Sequence, residues 1–278
     1  MKKFSLEVLF HIIGIGSASG IIYRDGDLFL ISDNGNHLYK YNIDTKQTQK
    51  ISLFENETTQ NIPKAQKPDF EAIAHYGDDY YIFGSGSTEN RNRMVQYNTR
   101  TKSTKTFDLT NLYLLMQSFE NIKAVDFNIE GVVFTGDTWY FFQRGNGKSG
   151  KNGVFTVKAK SLEDDFSILF NAYKLPKVKG IQSGFTDAVL VEDKLWFLAC
   201  SENSISTYED GEVLGSFIGS IDIRTMKMQD TQQISDNHKF EGITYYKETA
   251  GHFEFLLCED NDTEILESDI YKLTIGKS

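Results

Sequence analysis

The chain is 278 residues long with 40% hydrophobic and 24% charged residues, close to the globular average, so a sizeable core is available and disorder is excluded as an organising principle. Its net charge of −10 repels phosphate backbones and anionic bilayers, which argues against nucleic acid or a membrane surface as the partner. Two cysteines, Cys200 and Cys258, are too few for a disulfide framework and fit a reducing, cytoplasmic compartment.

The first element predicted in chain order is a strand over residues 4–12. Lys2 and Lys3 ahead of an apolar run imitate an export signal, and export stays the alternative localisation. Glu7 and His11 interrupt that run, however, while Phe4, Leu6, Val8, Phe10 and Ile12 alternate with the period of a half-buried strand.

From there the chain repeats itself. Five openings pair a small or acidic residue with Gly or Ala and then an apolar strand: Ser19-Gly20-Ile21, Glu71-Ala72-Ile73, Glu130-Gly131-Val132, Asp187-Ala188-Val189 and Glu241-Gly242-Ile243. A tight-turn sequence such as Asp25-Gly26-Asp27 or Gly136-Asp137 follows, then a second strand rich in aromatic and branched residues, for example Trp139-Tyr140-Phe141-Phe142. A third strand carries its own echo, Tyr41-Asn42-Ile43-Asp44-Thr45 against Tyr97-Asn98-Thr99-Arg100-Thr101 and Ile221-Asp222-Ile223-Arg224-Thr225. Fourth strands are expected over 48–54, 103–109, 166–173 and 229–234, with one helix over 109–119 between the second and third repeats. The last repeat lacks a fourth strand, and the strand over 4–12 is the spare piece that would complete it and cover its edge. The reading is therefore an all-β chain forming one domain, a five-bladed β-propeller of four-stranded antiparallel blades closed by the N-terminal strand. An open solenoid or a pair of sandwiches is the rival arrangement for the same hairpin spacing.

The openings Asp69-Phe70-Glu71-Ala72-Ile73-Ala74, Asn128-Ile129-Glu130-Gly131-Val132 and Lys239-Phe240-Glu241-Gly242-Ile243 resemble those of phytase-like propellers, including the esterase-like-phytase and SdiA-regulated groups, and more specifically the bacterial DUF6929 type. The resemblance spans the chain as a repeat pattern and rests on motifs of five or six residues. At most it implies a calcium-dependent phosphatase. Ser19 departs from the acid of the other openings, and a full phytase calcium cluster is not matched.

In a propeller the first strand of each blade lines the axis, so the openings converge. A ring of Glu71, Glu130, Asp187 and Glu241, with Ser19 as fifth member, would carry carboxylates at roughly 8 Å, each adjacent pair repelling by about 2 kcal/mol at an effective dielectric near 20. Calcium would neutralise them, since it accepts six to eight oxygen ligands in irregular geometry. Alternatively Lys67, Lys123, Lys179 and Lys239 on the incoming loops pair with the ring, a carboxyl stays protonated, or the acids accept backbone N–H bonds. Loops between second and third strands reach the same face. There Arg91, Arg93, Arg144, Lys148 and Lys151 are set against Glu202, Glu259, Asp260 and Asp262, so one half could hold an anionic group beside a cation on the other, or all could be solvated loop tips.

Two motifs carry nothing. Gly147-Lys148-Ser149 lacks the first glycine of a P-loop, and Asp260, Asp262 and Glu264 are followed by Ile265 where a calcium loop needs glycine. The function expected is binding of a small polar or anionic ligand, or of a protein partner, on the loop face of a monomer. The alternative is calcium-dependent hydrolysis of phosphoesters or lactones.

Overall fold

A computed structural model describes residues 3–54, 67–145, 147–163, 165–203, 211–260 and 266–277. After β1 (Phe4–Ile13), the first blade comprises β2 (Ala18–Arg24), β3 (Asp27–Ser32), β4 (His37–Asn42) and β5 (Gln47–Ser52). The second comprises β6 (Phe70–Tyr76), β7 (Asp79–Gly84), β8 (Arg93–Asn98) and β9 (Ser103–Asp108), and is followed by helix α1 (Thr110–Glu120). The third is β10 (Ile129–Phe134), β11 (Thr138–Gln143), β12 (Gly153–Lys158) and β13 (Ser167–Ala172), after which a small hairpin, β14 (Lys177–Val178) and β15 (Ile181–Gln182), leads on. The fourth is β16 (Gly184–Val191), β17 (Lys194–Asn203), β18 (Glu212–Asp222) and β19 (Gln232–Ser235). The fifth is β20 (Phe240–Thr249), β21 (His252–Glu259) and β22 (Glu267–Gly276), with β1 paired antiparallel to β22 as its outer strand. The propeller, its blade count and its closure by the N-terminal strand are thus as the repeats require.

Local chemistry explains the echoes. In the turns after the third strands of the first, second and fourth blades, Asn42 Oδ1 accepts the Thr45 N–H and hydroxyl at 2.9 Å, Asn98 does the same for Thr101, and Asp222 for Thr225. These side chains mimic a backbone turn. Lys46, Lys102 and Met226 then take the left-handed conformation that closes it. The amides of Asn42 and Asn98 also donate to Asp27 and Asp79 at 2.8 Å, tying each outer hairpin to the inner one.

Strands β2, β6, β10, β16 and β20 surround the axis, each packed on its neighbours. Their close approach explains the small residue in each opening: a Cβ on Gly131 would lie 3.0 Å from Asp187 Cα, and one on Gly242 3.1 Å from Gly20 Cα. Aromatic pairs such as Phe29–Tyr80 (4.3 Å) and Tyr81–Trp139 (5.0 Å) fill the spaces between blades. Away from the openings the axis narrows to a chamber of about 100 Å³ lined by Ile21, Ile73, Val132, Val189 and Ile243. The channel is therefore apolar at one end and charged at the other.

Every innermost strand has a β-bulge at its opening, between Ala18 and Gly20, Phe70 and Ala72, Ile129 and Gly131, Phe185 and Asp187, and Phe240 and Gly242. The bulged residues are Ser19, Glu71, Glu130, Thr186 and Glu241. This corrects the sequence alignment of the fourth blade by one residue: Thr186 takes the ring position, and Asp187 stands where other blades have Gly or Ala. The hydroxyls confirm the equivalence, since Ser19 Oγ donates to Phe70 O at 2.5 Å and Thr186 Oγ1 to Phe240 O at 2.8 Å, each reaching the next blade.

Candidate functional site: a charged cup on the axis

The bulges deliver Glu71, Glu130 and Glu241 to one end of the axis. Other residues join them from the second strands: Asp33, Arg144 and Asp260 each follow the residue paired with the last one before a bulge (Ser32, Gln143 and Glu259). Arg144 is the hub. Only 5% exposed, its Nη1 lies 3.1 Å from Glu130 and 3.8 Å from Glu241, and its Nη2 2.5 Å from Glu202. Lys239, equally buried, sits 3.0 Å from Glu241 and 3.4 Å from Asp260. Across the cup Lys67 pairs with Asp33 and, at 3.1 Å, with Asp69, whose second oxygen meets Arg91 at 2.7 Å and the Ser85 hydroxyl at 2.6 Å.

The predicted basic half of the loop face is therefore not open. Arg91 and Arg144 are buried ion-pair partners, against the expectation that they present themselves to a ligand, because Asp69 holds the first and Glu130, Glu202 and Glu241 the second. Arg93 lies over the Phe54 ring at 5.6 Å, Lys148 is exposed, and Lys151 binds the end of α1 at Glu120. Of the four lysines expected to neutralise the ring, Lys67 and Lys239 do so, whereas Lys123 and Lys179 are exposed. On the acidic half, Glu202 also accepts the Gly211 N–H, and Glu259 is held by His238 (2.8 Å) and the Tyr271 hydroxyl (2.7 Å). Asp262 and Glu264 lie outside the described residues. Asp33, Asp69 and the hub role of Arg144 escaped the sequence reading, although Asp69 stands in the quoted opening and Asp33 directly follows a second strand.

Compensation is uneven. Glu130 and Glu241 have Arg144 and Lys239 beside them, whereas Glu71, half-buried, makes no hydrogen bond or ion pair among the described residues. Burial together with Asp69, Glu130, Glu241 and Asp33 pushes the Glu71 carboxyl well above the usual range, and burial raises Asp33 to about 6 against the pull of Lys67. Burial disfavours charge on Lys239 as well, but Glu241 and Asp260 outweigh it and hold its ammonium protonated. Oxygens of Asp33, Asp69 and Glu71 all lie within 4.8 Å of one another, a spacing at which one metal ion could touch all three.

Asp187 is different. It is 2% exposed and its Oδ2 accepts the Ile243 N–H at 2.8 Å. Burial lifts its carboxyl well above the ordinary value, so the folded chain keeps a proton that the unfolded chain has released. Stability from this group is then lost as pH rises above the unfolded carboxylate range. Asp187→Asn, which keeps the acceptor for Ile243, should raise the thermal midpoint by about 2–4 °C around neutral pH. The gain should shrink toward acid pH. A lower midpoint for the variant around neutral pH would mean that the ionised form is the one the fold uses.

Fold and cup together define the chain as a five-bladed propeller with an ion-paired, acid-rich well at one end of its axis. It belongs to the family of unknown function DUF6929, whose profile matches residues 14–275. No curated protein matches the chain by sequence. Among solved structures it is similar to the Malassezia sympodialis allergen Mala s 1 (TM-score 0.56, 8% identity, covering 95% of each chain). It is similar also to Myxococcus xanthus glutaminyl cyclase (0.53, 9%, covering 99% of this chain and 98% of that one). The PQQ-bound aldose sugar dehydrogenase of Streptomyces coelicolor aligns comparably (0.51, 12%, 99% of each). At these identities the likeness is one of fold alone.

Proposed function

We propose that the chain is a binding propeller that takes a divalent cation, calcium, at the mouth of the axial cup through Asp33, Asp69 and Glu71, and a small polar ligand over it. The observation that carries this reading is the imbalance of charge: seven carboxylates, Asp33, Asp69, Glu71, Glu130, Glu202, Glu241 and Asp260, face the four cations Lys67, Arg91, Arg144 and Lys239. The donor set fits a hard ion, since all three ligands are carboxylates and the buried Asp33 Oδ1 has no hydrogen-bond partner among the described residues. Lys67 is the resident competitor.

Of the ring first expected to hold the ion, Glu71 contributes, Glu130 and Glu241 are neutralised by Arg144 and Lys239, and Asp187 lies one residue deeper. The phosphatase activity that phytase resemblance implies would need basic groups free to meet a phosphoryl oxygen. Arg91 and Arg144 are engaged with acids, which favours binding over hydrolysis. The free, buried thiols of Cys200 and Cys258 agree with a reducing compartment.

Calcium at about 100 times its dissociation constant should stabilise the fold by about 2.7 kcal/mol, reversibly with chelator. Glu71→Gln should weaken the response, and Lys67→Met should strengthen it by removing the competing ammonium. Thermal melting indifferent to calcium, to magnesium and to Lys67→Met would remove the cation from the cup.

A further inference from the structure

At the opposite end of the propeller the interface between the first two blades opens into a groove of about 330 Å³. That is the lower end of the volume range of small-molecule sites. Its inner wall is the Arg24-to-Asp27 hairpin, its floor Phe29 and Tyr80, and its outer rim Ile51, Tyr97 and Lys102.

Two features mark the groove as more than a packing gap. The first is Tyr80, fully buried, whose hydroxyl is approached by the Arg24 side chain, a donor, and finds no acceptor for its own proton among the described residues. Tyr80 lines the groove together with Arg24, Asp25 and Asp27, the charged groups that act on its hydroxyl, and burial keeps that hydroxyl protonated as a donor. A buried hydroxyl proton left without an acceptor is costly, and natural structures rarely leave one so. The second is the charge balance. Asp27 is held by Lys40 at 2.7 Å and by the Asn42 amide at 2.8 Å, and Asp25 by Arg24 at 3.4 Å. Lys102, on the turn that the Asn98 side chain fixes, also lines the groove, with no carboxylate beside its ammonium among the described residues.

We infer that this groove is a second ligand site, for a small carboxylic acid bearing a flat apolar ring. One oxygen of its carboxylate is met by Lys102 and the other takes the Tyr80 hydroxyl, while its ring lies against Phe29 and Ile51. The rings already in place favour such a ligand: Phe29 and Tyr80 lie 4.3 Å apart and tilted, and Lys40 stands 5.9 Å over Phe29. This inference is independent of the axial cup, which lies at the other end of the molecule.

Benzoate is the simplest probe, and benzamide its uncharged isostere. Titrated into the whole protein, benzoate should shift the amide resonances of Gln49, Thr99 and Lys102 saturably, with benzamide binding about tenfold more weakly for want of the charge-assisted bond. Lys102→Ala lies on an exposed turn, so the fold should persist, and it should reduce benzoate binding to the benzamide level. Tyr80→Phe should weaken benzoate while the thermal midpoint holds or rises. Shifts spread over the surface, equal binding of the two probes, or unchanged binding in Lys102→Ala would each overturn the assignment.

Discussion

Replacing Arg144 by methionine should cost the fold about 3–5 kcal/mol, because it removes the one guanidinium that three buried carboxylates share. Glu130, Glu202 and Glu241 are each nearly or fully out of solvent, and Lys239 alone would remain near Glu241. Methionine keeps much of the apolar stem, so the loss reports charge and not packing. Urea unfolding should show it directly, with a thermal midpoint lower by about 10 °C. The deficit resides in orphaned charges, so Arg144→Met combined with Glu130→Gln and Glu202→Gln should recover a good part of it. The single variant should also approach wild type at acid pH, where the carboxyls take up protons. A loss below about 1 kcal/mol at neutral pH would mean that the cluster is solvated like a surface ion pair.

The blades were legible because their signals are local and repeated. The small residue after the ring position in four of the blades is imposed by the approach of the next blade, as at Gly131 and Gly242, and the Asn or Asp that starts the outer turn of the first, second and fourth blades is imposed by the turn itself. The fourth blade was read one residue out of register because Thr186-Asp187 offers two polar residues in succession. The bulge decides which of them occupies the ring, and a bulge is a property of pairing with β17 that the inner strand alone does not reveal. Charge pairing was the least legible. Arg144 looks like any basic residue at a strand end, and its partners Glu202 and Glu241 come from two other blades. Asp33 and Asp69 meet Glu71 only because the first and second blades are neighbours around the ring. A motif search blade by blade sees the acids that repeat and misses the cations that do not.

Deleting residues 1–13 should open the closed ring and make the chain aggregate. β1 buries Ile12 and packs Phe10 and Leu6 against the fifth blade, which is worth about 3–6 kcal/mol of apolar burial, a large part of the stability of an ordinary domain. The edge it leaves matters as much. β1 is bulged between Val8 and Phe10, which spoils it as a template for further pairing, whereas β22 beneath it pairs with β21 without a break and would be left bare. The truncated chain should melt well below wild type and grow in size by light scattering. A synthetic peptide of residues 1–14 supplied in excess should re-form the strand and reverse both effects, the peptide adding to an open sheet edge. Its affinity should depend on pH with a definite sign. Hydrogen bonds donated by the His11 ring to Asp269 (2.5 Å) and Glu267 (3.0 Å) raise His11 above its ordinary value, so their contribution is present at mildly acid pH and fades as pH rises through the bound value. Tighter peptide binding below neutrality, abolished by His11→Gln, is the expected pattern. A truncated protein as soluble and as heat-stable as the whole chain would show that the ring closes without this strand.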